Sequence, residues 1–72
     1  MNNLKYIRMV RNLSIQQLSE ETGINRVTLS RYENNEVALE NIKVGTLIKI
    51  ADCLEITDIR IFFMRKITNL IR

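Results

Sequence analysis

Proline and histidine are absent from this chain, glycine occurs only at Gly23 and Gly45, and cysteine only at Cys53. Each shortage closes off a class of structure or chemistry. A sheet-rich fold with many tight turns draws on glycine and proline, so such a fold is not expected. A lone cysteine cannot form a disulfide within the chain, and Cys53 is read as a small, buried or half-buried thiol. With no histidine and no cluster at ligand spacing, neither a metal site nor a cofactor is expected, and no residue pattern points to an enzyme. No apolar run reaches the ~18–20 residues of a membrane span. No signal-peptide pattern opens the chain, which makes a cytoplasmic protein the expectation. Without repeats, low-complexity tracts or linkers, residues 1–72 read as a single domain, near the lower size at which one core stabilises a fold.

What is present is apolar residues at helical spacing, and their clearest organisation lies at Ser14–Asn34. Ser14 is placed to cap a helix, with Gln17 completing a Ser-x-x-Gln capping box and Leu13 with Leu18 forming a hydrophobic staple. Thr22-Gly23 interrupts the pattern, since glycine takes the left-handed conformation of a helix stop. Asn25 then caps a second helix, with Ile24 and Leu29 as its staple. Helix, glycine-containing turn and helix make a helix-turn-helix, whose second helix enters the DNA major groove. Winding at ~100° per residue puts Leu29 and Tyr32 on the core side and Val27, Ser30, Arg31 and Asn34 opposite, with Arg26 at the edge. A valine facing out between two arginines suits thymine methyls and phosphates better than water.

Around this unit, Leu4 and Ile7 place a first helix ending at Asn12, with Tyr6, Met9 and Val10 widening its apolar stripe. Asn35–Asn41 reads as a loop. A fourth helix follows, with Asn41 as the nearest cap, Gly45 weakening its first turn, and Leu47, Ile50, Ala51 and Leu54 pointing inward. A C-terminal helix over 57–71 is capped by Thr57 and continuous over Ile59–Leu70, with Asp58 at its positive end and Ile56 and Ile61 as its staple. Ile59, Phe62 and Phe63 are expected to complete the core, and Ile67, Leu70 and Ile71 continue the same stripe. Charge is uneven. Lys5, Arg8, Arg11, Arg26 and Arg31 face only Glu20 and Glu21 in residues 1–31, the middle is net acidic, and Arg60, Arg65, Lys66 and Arg72 make the end basic. A positive first half suits an anionic partner.

Leu4, Ile7 and Arg8, the run LSIQQLSEETGI at Leu13–Ile24, Arg31-Tyr32-Glu33-Asn34, TLIKIADCL at Thr46–Leu54, Thr57 and Phe62 share a joint spacing. Over about Leu4 to Phe62 the chain resembles the phage repressor and Cro family of DNA-binding domains, the xenobiotic-response-element or HTH_3 type. The resemblance implies an all-α, five-helix, lambda-repressor-like fold that binds operator DNA, usually as a dimer. It implies base contacts from Asn25, Arg26, Val27 and Arg31. The two arginines have the geometry to donate bidentately to guanine, and capping need not exclude Asn25 from contact. Gln16, Gln17, Thr28, Ser30 and Asn34 are then expected on the DNA backbone. Arg8 and Glu33 match positions that form a buried or half-buried ion pair in the family. Three departures stand out. Ile15 occupies the place of a phosphate-binding glutamine. Asn35 and Glu55 replace common glycines. Phe63–Arg72 runs past the usual end of the domain.

The expected function is a DNA-binding transcription regulator, most simply a repressor that binds a palindromic operator as a homodimer. Ile67, Leu70 and Ile71 are the expected dimer contact, and packing of the same residues on Tyr6 or Val10 of their own chain is the alternative. An antitoxin-like module that binds a partner protein through the apolar tail is the second functional reading. A tail lying on a membrane surface is a third, and no membrane association is expected.

Overall fold

The computed structural model describes residues 3–63. Four α-helices occupy them: α1 at Leu4–Val10, α2 at Ile15–Thr22, α3 at Arg26–Glu33 and α4 at Val44–Cys53. Two 3-10 turns, Leu39–Asn41 and Ile59–Phe63, complete the regular structure, and no strand occurs among the described residues.

Helix boundaries follow local chemistry. Leu4 and Ile7 are fully buried, while Tyr6, Met9 and Val10 are exposed on the outer side of α1. Asn12 has φ 60°, the left-handed conformation that ends α1. Ser14 Oγ accepts from Gln17 N–H at 3.0 Å, and Ser14 N–H donates to Gln17 Oε1 at 2.8 Å, so the capping box at the start of α2 is reciprocal. Gly23 stops α2 with φ 74°. The Ser19 hydroxyl donates to the Ile24 carbonyl at 2.6 Å, drawing the turn against α2. Asn25 Oδ1 accepts from Val27 N–H at 2.8 Å and starts α3.

The stretch expected as a plain loop at Asn35–Asn41 is more structured than that. Leu39 and Ile42 are buried and anchor it to the core, and Leu39–Asn41 winds into a 3-10 turn. Asn41 is consumed in that turn and does not cap α4. The helix starts at Val44 after Lys43, with no side-chain cap. Its inward stripe is the expected one: Leu47, Ile50, Ala51 and Leu54 are all buried. Glu55, with φ 60°, ends it. Arg11 Nε donates to the Leu54 carbonyl at 2.8 Å, so a cation from α1 satisfies the end of α4.

At the C-terminal side the capping group is Asp58 rather than Thr57. Asp58 Oδ1 accepts from Arg60 N–H at 3.0 Å. A carboxylate is the better partner there because it also holds the Arg60 guanidinium at 2.6 Å. Hydrogen bonds from Arg60 hold the Asp58 carboxyl below its ordinary range. The segment expected to begin a fifth α-helix is a 3-10 turn over Ile59–Phe63. Phe62 is fully buried, but Phe63 is exposed and is not part of the core. The helix expected beyond it, with Ile67, Leu70 and Ile71, lies outside the described residues.

Helix α2 packs on α3 and α4, α1 packs on α3, and α4 packs on the last 3-10 turn. Asn3 closes the fold: its N–H donates to the Phe62 carbonyl at 3.2 Å and its side-chain amide to the Ile61 carbonyl at 3.0 Å. One charged pair sits inside this packing. Arg8 Nε lies 2.7 Å from Glu33 Oε2 and Arg8 Nη2 lies 3.1 Å from Glu33 Oε1, a two-pronged contact with the side chains 12% and 4% exposed. Arg8 Nη1 also donates to the Leu13 carbonyl at 2.8 Å. Cys53 is half-buried, with Sγ 3.4 Å from Glu21 Oε1. Burial, then the hydrogen bond and charge of Glu21, push its pKa up to about 11, so the thiol stays protonated and is a poor nucleophile near neutral pH.

Two substitutions test this frame. Arg8→Met leaves the Glu33 carboxylate buried without its partner and is expected to cost ~3–5 kcal/mol in denaturant unfolding. DNA binding should then fall only as far as the folded fraction falls. Unchanged stability with lost DNA binding would instead make Arg8 a direct DNA contact. Glu55→Gly relieves a left-handed side-chain residue and is expected to stabilise by ~0.5–1 kcal/mol. A lower melting temperature for that variant would contradict the reading of Glu55 as strained.

Candidate nucleic-acid interface

Helices α2 and α3 and the Gly23 turn carry most of the candidate residues identified from the sequence. The buried residues of α3 are Leu29 and Glu33, so the helix is fixed by an aliphatic side chain and by the pair with Arg8. Its other side faces outward. Val27 is 58% exposed, and Arg26, Arg31 and Asn34 are exposed as well. Thr28 and Ser30 are half-buried at the flanks. Val27, Arg31 and Asn34 recur at i, i+4 and i+7, which lines them up along one edge of the helix.

The electrostatics of this face follow from where the carboxylates go. Helix α3 contains a single acidic residue, Glu33, and it is turned inward and matched by Arg8. Neither Arg26 nor Arg31 enters an ion pair among the described residues. Among the described residues, the outer face therefore presents two guanidinium groups without an ion-pair partner on either side of an exposed valine. Guanidinium groups donate in a planar fork suited to phosphate and to the guanine edge.

The amides around this face are partly engaged. Asn25 is exposed at the start of α3, with its Oδ1 spent on the cap and its Nδ2 still able to donate. Gln17 is in the same position at the start of α2, with Oε1 held by Ser14. Gln16 donates to Glu20 Oε2 at 3.1 Å, and Asn34 Nδ2 lies 3.4 Å from Ser30 Oγ. Both bonds are exposed and readily exchanged for a phosphate oxygen. Ile15 is half-buried against the core and offers no polar group, so Gln16, Gln17 and the start of α2 are what this edge can present to a backbone.

The structure thus gathers Gln16, Gln17, Asn25, Arg26, Val27, Thr28, Ser30, Arg31 and Asn34 on the helix-turn-helix unit. It puts Arg8 and Glu33 behind that unit, as the support of α3. Ile67, Leu70 and Ile71 lie outside the described residues. Sequence reasoning did not foresee that Arg11 is committed to the end of α4. A basic residue late in one helix looks like surface charge until the other helix end is placed beside it.

Among the described residues no three His, Cys, Asp or Glu side chains are grouped to hold a metal ion. No helix among them is long and apolar enough to cross a membrane. Comparison with curated proteins and with solved structures returned no match. The helix-turn-helix family model HTH_3, however, matches residues 4–61, from the first buried leucine of α1 into the last 3-10 turn. That span contains both capped helices, the Gly23 turn and the outward face of α3, and the chain belongs to this family of DNA-binding helix-turn-helix proteins.

Proposed function

We propose that this chain is a sequence-specific transcription regulator, acting as a repressor that occupies a palindromic operator as a homodimer in the cytoplasm. The observation that carries the reading is the outer face of α3: an exposed Val27 flanked by Arg26 and Arg31, neither in an ion pair among the described residues. With α3 in the major groove, Arg26 and Arg31 donate to guanine O6 and N7, Val27 meets a thymine methyl, and the Asn25 amide reaches the neighbouring base edge. Gln16, Gln17, Thr28, Ser30 and Asn34 take the phosphates on either side and set the register. Repression then needs no chemistry beyond occupancy, since a protein seated on the operator excludes polymerase.

In this reading Ile67, Leu70 and Ile71, beyond the last 3-10 turn, form the dimer contact. Left uncovered, such a row would be a contiguous apolar patch, and a two-fold axis buries it with one self-complementary surface. The dimer sets two copies of α3 about 34 Å apart, one DNA turn, so the operator is an inverted repeat.

Arg31→Ala is expected to cost ~1–3 kcal/mol on the best site and to relax choice at one base position, measured by competition among single-base variants of that site. Gln16→Ala should weaken all sequences alike and leave the salt dependence unchanged, because a neutral amide neutralises no phosphate charge. A uniform loss for Arg31→Ala would demote it to a phosphate contact. Truncation after Met64 should leave the melting temperature in place, give a monomer in sedimentation, and weaken binding to the palindrome. Unfolding on truncation would assign the tail to the core of its own chain, and an intact dimer with full operator binding would place the contact elsewhere.

A further inference from the structure

The chain between α2 and α3 is steered by two hydroxyls of α2. Gly23 brings no side chain to the turn, and a Cβ built there would meet nothing within 4 Å, so packing at that residue does not direct the chain. Ile24 comes next, and Asn25 after it caps α3. Thr22 Oγ1 accepts from the Ile24 N–H at 3.3 Å, and the Ser19 hydroxyl donates to the Ile24 carbonyl at 2.6 Å. These two groups of Ile24 belong to successive peptide planes, one on each side of its Cα. Each plane is rigid, so holding both fixes the two backbone dihedrals between them. The direction in which the chain enters α3 is thereby set from α2.

The Ser19 bond is not the usual one for its residue type. A serine or threonine inside a helix commonly bonds back to the carbonyl four residues earlier, as Thr22 does with Leu18 at 2.7 Å. Ser19 reaches forward instead, across the turn to a residue five positions on, and its single hydroxyl proton is engaged there. The two hydroxyls and the Arg8–Glu33 pair act at opposite ends of α3. The pair holds its last turn through Glu33, and the hydroxyls hold the approach to its first. Asn25, Arg26 and Val27 follow directly on the clamped residue, whereas Arg31 lies close to Glu33.

We propose that Ser19 and Thr22 are positioning residues for base recognition. Their hydroxyls set where Asn25, Arg26 and Val27 stand against the base edges, without themselves touching DNA. This rests on the reading of α3 as the helix that reads bases. A hydrogen bond to a base edge tolerates little error in the placement of its donor. Attraction to the phosphates depends on charge, which neither hydroxyl carries. Loss of the clamp therefore reduces discrimination at the first turn of α3 and leaves charge-driven binding alone.

The test uses the full chain and the best site it selects from random DNA. Arg26→Ala, Val27→Ala and Arg31→Ala first assign the base positions that each residue reads. Ser19→Ala should keep the melting temperature, because the helix propensity of alanine offsets the lost bond. It should lower discrimination about tenfold at the positions assigned to Arg26 and Val27, and less than about twofold at that of Arg31. Affinity for random duplex and its salt dependence should not change. Thr22→Val should act in the same direction, and Thr22→Ser, which keeps the hydroxyl, should retain full discrimination. Ser19→Ala combined with Arg26→Ala should lose no more at the Arg26 position than Arg26→Ala alone. Unchanged discrimination in Ser19→Ala and Thr22→Val, with the α3 variants still altering base preference, overturns the clamp and leaves the reading of α3 standing. A loss shared equally by all sequences and tracking the melting temperature reduces the hydroxyls to supports of the fold and overturns the clamp as well. If no α3 variant alters base preference, both readings fail.

Discussion

The buried pair between Arg8 and Glu33 is the constraint on which the rest depends. It joins the middle of α1 to the end of α3, and the third prong of Arg8 holds the Leu13 carbonyl just ahead of α2. One guanidinium thus ties together the first helix, the approach to the helix-turn-helix and the helix proposed to read DNA. Desolvating two charges is expensive, and a hydrophobic substitute of equal volume can be as stable. What a hydrophobic contact would not supply is direction. The forked geometry fixes the roll of α3 about its axis, and that roll decides whether Val27 and Arg31 face outward. It also removes the only carboxylate of α3 from the outer face, which leaves that face cationic.

Local chemistry made the helix-turn-helix legible from residue types alone. Ser14 with Gln17, Gly23 and Asn25 act through bonds spanning two to four residues, so their roles survive any arrangement of the rest of the chain. The inward row of α4 was legible for a similar reason, because four apolar residues at helical spacing have one sensible direction. Glu33 was legible through its match to a family pattern and its place on the flank of the core face.

What was not legible depends on distant parts of the chain. Leu39 and Ile42 lie in a stretch whose periodicity is too short to read, and only the core shows that both are anchors. That anchoring consumes Asn41 and moves the start of α4 to Val44. Thr57 and Asp58 are both competent caps, and Arg60 tips the choice by binding the carboxylate. Arg11 serves the Leu54 carbonyl, 43 residues away in sequence. The exposure of Tyr6, Met9 and Val10 was left open by the sequence because a short helix with a wide apolar stripe can turn either way. Leu4 and Ile7 fill the available core, and the other three are left outside.

Two kinds of surface emerge from this arrangement. The outer face of α3 carries fixed charge and an exposed methyl-bearing side chain, with amides held in weak exposed bonds until something replaces their partners. The outer face of α4 leaves Val44 and Ile48 exposed. The first suits a polyanion with readable edges. The most direct measurement of the central claim is the affinity of the full chain for a selected palindrome against random duplex at about 0.15 M salt. A preference of roughly a thousandfold or more is predicted for a specific reader. Equal binding of the two would contradict sequence recognition by α3 and reduce the protein to a binder of DNA charge.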